Sequence, residues 1–184
     1  MKKYLTIKSK TPLIILMVFF ICLYFFIYGD FRLIINPTVS MPRGLYLLKQ
    51  EKNRTYKIGD IVSLCIPNLD TVNRYKAAGY LKPGQCPGNV SGELKPILAA
   101  FNDLVVVSDR GISVNGKLLR NSIVYDTDSQ GNTIEHLPLK WSKYLVQDEY
   151  FVLANRVGRS LDSRYYGTIN MSDINGLIIP LLTE

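Results

Sequence analysis

The 184-residue chain is 47% apolar and 20% charged, which allows one buried core, and neither a repeat nor a low-complexity tract interrupts it. Its formal net charge of +7 comes from 22 Lys and Arg against 15 Asp and Glu, and Lys2, Lys3, Lys8 and Lys10 supply more than half of that excess. The rest is only mildly basic, without the clustered patch that phosphate binding needs, so nucleic acid is excluded as a main partner.

Those four lysines precede Leu13 to Tyr28, a run with no charge that Pro12 extends and that Phe31, Leu33, Ile34 and Ile35 continue in apolar character. A membrane helix needs roughly 17–25 residues, so the run sits near the lower limit of a span. The alternative is a cleaved signal peptide. The run exceeds the usual apolar region of about 7–15 residues, however, and no small-x-small site follows it. The expectation is a cytoplasmic basic tail at 1–11, a transmembrane anchor at 12–30, and an exported domain at 31–184, oriented by the positive-inside rule.

Just past the anchor comes Asn36-Pro37-Thr38-Val39-Ser40-Met41-Pro42-Arg43-Gly44-Leu45-Tyr46. Pro37 and Pro42 fix φ, and each biases the residue before it toward extended geometry. The segment therefore reads as a stiff, extended shelf carrying Ser40. A serine hydroxyl becomes a nucleophile only when a base takes its proton.

Further along, Gly44 to Leu48 and Ile61 to Leu64 read as strands separated by a turn at Lys57-Ile58-Gly59-Asp60. Asp70 or Thr71 caps a helix reaching about Ala78, where Gly79 stops it. Tyr80 to Glu93, rich in Pro and Gly, reads as a loop; Leu94 to Leu98 and Leu104 to Val107 read as strands. Asn115-Gly116 between Ile112-Ser113-Val114 and Lys117-Leu118-Leu119 is the best hairpin signal in the chain. Residues 121 to 147 are polar and turn-rich; Tyr150 to Leu153, Tyr165 to Ile169 and Leu177 to Leu182 read as the last strands. Many short strands with one short helix predict a mainly-β domain of twisted sheets or a partial barrel.

Cys22 lies in the apolar run, whereas Cys65 and Cys86 fall in the exported part, where disulfides persist. They read as a disulfide pair, with free thiols as the alternative. Two thiols and the lone His136 make an incomplete zinc set, so no metal or other cofactor is expected. His136 is also the one candidate base for a Ser-His-Asp triad, and its polar, turn-rich surroundings read as a surface loop.

A lysine amine is an alternative base. It is ordinarily protonated at neutral pH, with a pKa near 10.4, and burial must bring it to about 7–8 before it works. Lys95, in Leu94-Lys95-Pro96-Ile97-Leu98-Ala99-Ala100, is the lysine set inside an apolar run; an edge-strand lysine reaching out to water is the bland alternative. Finally, Asp162 and Arg164 alternate with Leu161 and Ser163, so on an extended chain they share one face and can pair.

Ser40-Met41-Pro42-Arg43-Gly44-Leu45-Tyr46, Lys95 in its apolar run, and Ser160-Leu161-Asp162-Ser163-Arg164-Tyr165-Tyr166-Gly167, in that order behind an anchor, resemble the type I signal peptidase superfamily. The similarity runs from about residue 36 to the C-terminus. Gly79-Tyr80-Leu81 to Cys86-Pro87-Gly88 and Ile112 to Ser122 resemble its TraF-type conjugative-transfer branch.

That resemblance implies a mainly-β catalytic domain on the outer face of the bacterial inner membrane, with Ser40 as nucleophile and Lys95 as general base. Thr38 would assist the Ser40 backbone N–H in the oxyanion hole. Ser160 would orient the lysine, and Asp162 and Arg164 would brace the site. The implied substrate is an exported precursor with small residues before the scissile bond, in this branch a prepilin, which some members close into a circle. Two departures stand out. Lys95 is followed by Pro96 and a Phe101-Asn102-Asp103 turn, where the family usually has Lys-Arg and Pro-Gly-Asp, and Asn155 stands where an acid is common. The competing expectations are a general signal peptidase I and an anchored, non-enzymatic scaffold subunit of a pilus or secretion complex.

Overall fold

A computed structural model describes residues 11–51 and 54–184. The basic tail expected at 1–11 thus lies, but for Thr11, outside the described residues. The chain enters through α1 (Thr11–Tyr28), and its side chains from Leu13 to Ile21 are exposed. Among the described residues no helix is long and apolar enough to cross a membrane. At 1.5 Å per residue α1 rises about 27 Å, against a hydrocarbon core of about 30 Å.

The domain is mainly β, built from two antiparallel sheets. The larger runs in the order β1 (Phe31–Asn36), β2 (Gly44–Lys49), β12 (Ile174–Thr183), β3 (Ile61–Leu64), β5 (Glu93–Ala99), β10 (Glu149–Val152), β11 (Ile169–Asn170). The smaller runs β8 (Lys117–Leu118), β7 (Gly111–Val114), β6 (Leu104–Ser108), β9 (Ser142–Tyr144). β10 is buried throughout. Tyr150 and Val152 enter a cluster with Tyr56, Val62, Leu64, Ile97 and Ile169, while Phe151 and Leu153 enter one with Val105, Val107, Ile112 and Leu145. Alternation along a strand thus makes β10 the wall shared by both cores.

Several expectations hold at the residue level. β3 has the expected bounds, and the Asn115-Gly116 turn joins β7 to β8 with φ of 50° and 81°, the pair of positive values that a two-residue hairpin of this twist requires. Pro96 pairs with Ile61, the first residue of β3, so its missing N–H falls where that ladder ends, and its carbonyl still accepts from Leu153.

Other expectations are corrected. Helix α2 (Leu69–Ala77) is capped by Asn68, whose side chain accepts from Asp70 N and Thr71 N, rather than by Asp70 or Thr71. The loop from Tyr80 holds a short strand, β4 (Pro83–Cys86), bridged back to Val90. The strand expected at 165–169 is instead the helical turn α3 (Ser163–Tyr166) followed by β11. Asp162 starts that turn by accepting from Arg164 N, and Gly167, at φ 81°, ends it.

Cys65 and Cys86 form a disulfide, with Cα atoms 5.5 Å apart, that ties β4 to the end of β3. Closing a 21-residue separation removes unfolded-state entropy worth about 3 kcal/mol. Replacing both cysteines with serine is therefore expected to lower Tm by about 6–12 °C in a thermal melt. A shift under about 2 °C would contradict this.

Candidate active site

The residue pairing Asn36↔Gly44 closes a β1–β2 hairpin, so the Ser40 segment is a hairpin loop. It bends at residues 38 to 41 and is not the extended shelf expected from its prolines. The cause is Asn36, buried at the end of β1. Its Nδ2 donates to the carbonyls of Thr38 (3.2 Å), Met41 (3.3 Å) and Pro42 (3.0 Å), while its Oδ1 accepts from Thr38 N (3.1 Å) and Thr38 Oγ1 (2.7 Å). One carboxamide gathers the loop's polar groups and overrides the local bias of the prolines. Tyr46, fully buried on β2, fixes the other end by donating its hydroxyl to Pro42 O at 2.5 Å. Gly44 is needed at the loop's exit, because a Cβ there would lie 2.0 Å from Leu182 O on β12.

Ser40 is half-buried, and its Oγ lies 3.2 Å from Thr38 Oγ1. The single Thr38 hydroxyl proton goes to Asn36 Oδ1, which is acceptor-only, so at that contact Ser40 donates and Thr38 accepts.

Lys95 sits in the middle of β5, opposite Val62, and is 1% exposed. Its Nζ donates to Glu93 Oε2 at 2.8 Å, and Glu93 keeps 22% of its side chain in contact with solvent. The sequence reading passed over Glu93, although it stands two before Lys95 and therefore on the same face of the strand. A cleft of about 260 Å³ is lined by Asn36, Pro37, Thr38, Ser40, Tyr80 and Glu93, among others. The nucleophile candidate and the partner of the base candidate thus share one opening. No hydrogen bond joins Ser40 to Lys95 among the described residues.

The third motif lies deeper. Arg164 and Asp162 are completely buried and pair through two bonds of 2.8 Å, Nε to Oδ1 and Nη2 to Oδ2. The guanidinium also donates to the carbonyls of Asn121, Ile123, Gly158 and Ser160. Burial works against its charge, but the Asp162 carboxylate outweighs that and raises the Arg164 pKa further above its ordinary value. The pair is a clamp that ties two loops to its own turn, formed in a helical turn and not along an extended face. Ser160 Oγ is buried with no hydrogen-bond partner and borders a second cleft of about 250 Å³ that Tyr80 also lines. The bond to Lys95 that would let Ser160 orient the amine is absent among the described residues; the Lys95 amine donates to Glu93 instead. His136 bonds Asp126 and the Leu137 carbonyl, both at 2.7 Å, and does not line the Ser40 cleft.

Comparison with known proteins fits this geometry. Residues 6–181 match the family described as signal peptidase, peptidase S26. The plasmid transfer protein TraF of Escherichia coli is 34% identical over 149 residues, covering 81% of this chain and 82% of that one. The probable conjugal transfer protein TraF of Sinorhizobium fredii is 33% identical over 159 residues, covering 85% and 79%. A signal peptidase I structure from Enterococcus faecalis V583 shares 18% identity over 67% of this chain and 97% of its own, with a TM-score of 0.36. The match along nearly the whole chain, together with relatives above 30% identity across most of both lengths, shows that this chain belongs to the signal peptidase family, peptidase S26.

Proposed function

We propose that the chain is a membrane-anchored serine endopeptidase in which Ser40 is the nucleophile and Lys95 the general base. The observation that carries the reading is a buried lysine whose carboxylate partner lines the same cleft as a hydroxyl held in a stitched loop. Once neutral, the amine takes the Ser40 proton as Oγ attacks the scissile carbonyl, then returns it to the leaving amine, which gives an acyl-enzyme. Water resolves that ester by hydrolysis; an amine at the other end of the product resolves it by cyclisation. The Ser40 backbone N–H faces the developing oxyanion. Thr38 joins it only by turning its hydroxyl away from Asn36 Oδ1.

The substrate in this reading is an exported precursor, and the transfer proteins to which the chain is similar favour a conjugative prepilin. The proposed anchor spans residues 12–30 of the bacterial inner membrane, with the tail in the cytoplasm and residues 31–184 in the periplasm. Support comes from the apolar, exposed α1 and the four lysines before it. Ile35 and Leu182 are exposed on strands that flank β2 at Leu45, and they offer apolar contact to the lipid surface beside the cleft.

The test is co-expression with a neighbouring-locus prepilin and intact-mass analysis of the product. Ser40→Ala is expected to leave the precursor intact, and loss of one water from the linear mature form marks cyclisation. Mature product made at a normal rate by Ser40→Ala would rule out covalent catalysis and leave the anchored scaffold subunit. Equal cleavage of unrelated exported precursors by the unaltered chain would instead favour a general signal peptidase I.

A further inference from the structure

We propose that Glu93 is a positioning residue: its carboxylate aims the Lys95 amine toward the Ser40 cleft. This rests on the Ser40/Lys95 reading above, and it concerns a residue outside the three motifs that carry the family resemblance.

The argument begins with the enclosure of the amine. Lys95 is 1% exposed, and its hydrogen-bond partner is Glu93 Oε2 at 2.8 Å. An amine so enclosed exchanges its proton with water only through a neighbour that reaches the solvent. Glu93 does so, with 22% of its side chain exposed and a place in the wall of the cleft. A carboxylate in contact favours the charged form of an amine, and its removal withdraws that support. The carboxylate thus holds the amine in place beside the cleft.

Most of the groups around the pair carry no charge. On β3 the neighbours are Val62 and Ser63, and on the hairpin loop they are Thr38 and Ser40, none ionisable near neutrality. From α3, Tyr166 lies in the field of both Glu93 and Asp162, and burial pushes its phenol well above its ordinary value, so it stays neutral. Asp162 is neutralised by Arg164. Tyr80 and Lys82 also line the cleft, and Lys82 brings a second cation to it. Tyr80 is pushed up to about 12, chiefly by its bond to Asp128, so it also carries no charge in the working range.

The test measures kcat/KM against pH for the detergent-solubilised full chain, using a quenched-fluorescent peptide with small residues before the scissile bond. Glu93→Gln is expected to move the rising limb to lower pH by about one unit or more, a tenfold change in proton affinity, with KM changed less than about twofold. Glu93→Asp keeps the charge and is expected to return the limb most of the way. A second readout needs neither cleavage nor a reagent that must enter the fold: NMR of the chain with 13C-labelled lysine Cε follows the Lys95 signal, assigned by its loss in Lys95→Met, through its titration midpoint. That midpoint is expected to fall in Glu93→Gln, while those of the exposed lysines stay put. An unmoved limb, or a Lys95 midpoint that matches the unaltered chain, overturns the proposal. Failure of the underlying reading looks different, because Ser40→Ala would then still cleave the peptide.

Discussion

Lys95→Met is expected to slow precursor cleavage by about 10³-fold or more while leaving a folded domain. Methionine has nearly the length of lysine and no charge, so it fills the buried position on β5 opposite Val62 without demanding a partner. The change leaves Glu93 without its cation. That residue is partly exposed on the cleft, so its carboxylate recovers water, and the stability loss falls well below that of breaking a fully enclosed pair. Activity and stability should therefore separate: precursor accumulates on a gel, while the melting curve moves by no more than a few degrees. Cleavage at the normal rate would place the base elsewhere. A collapse of the melting curve would mean that the amine supports the fold more than the chemistry.

For Arg164→Ala the opposite balance is expected, with large structural damage and activity lost as a consequence. The guanidinium and the Asp162 carboxylate are both wholly buried, so deleting the cation strands an anion in the interior at a cost of about 3–5 kcal/mol. It also strands the carbonyls of Asn121, Ile123, Gly158 and Ser160, which come from separate loops. In a domain of this size that corresponds to a Tm lower by about 6–20 °C. Arg164→Lys keeps the charge but loses the two-pronged grip, and it should fall between the parent and Arg164→Ala. A circular-dichroism melt that moved by less than about 2 °C for Arg164→Ala would show that the clamp is dispensable.

Local pattern was a good guide where local forces decide. The Asn115-Gly116 turn, the bounds of β3 and the Cys65–Cys86 pairing follow from turn chemistry, β-branched alternation and the presence of two cysteines beyond the apolar run. It failed where a side chain acts at a distance. Two prolines predict an extended segment around Ser40, but Asn36 bends it through bonds that run up to six residues ahead. Alternating Leu161-Asp162-Ser163-Arg164 reads as a strand, yet the Asp162 side chain caps a helical turn that Gly167 closes. For the candidate site, pattern only singled out Ser40 between prolines and Lys95 among apolar residues, and the family resemblance gave them their roles. Glu93 is not conspicuous, because an acid beside a loop is common; only the enclosure of its neighbour draws attention to it.

The carboxamide that shapes the Ser40 loop also has a chemical lifetime. Asparagines usually deamidate when the next backbone nitrogen attacks the side-chain carbonyl and closes a five-membered ring. Here that nitrogen belongs to Pro37, which carries no hydrogen, so the route is shut. Were it open, ageing would turn a donor facing three carbonyls into an anion and force the loop apart. The exposed Asn115-Gly116 turn has no such protection. In old protein the chemical wear should therefore appear on the small sheet and spare the loop that holds Ser40.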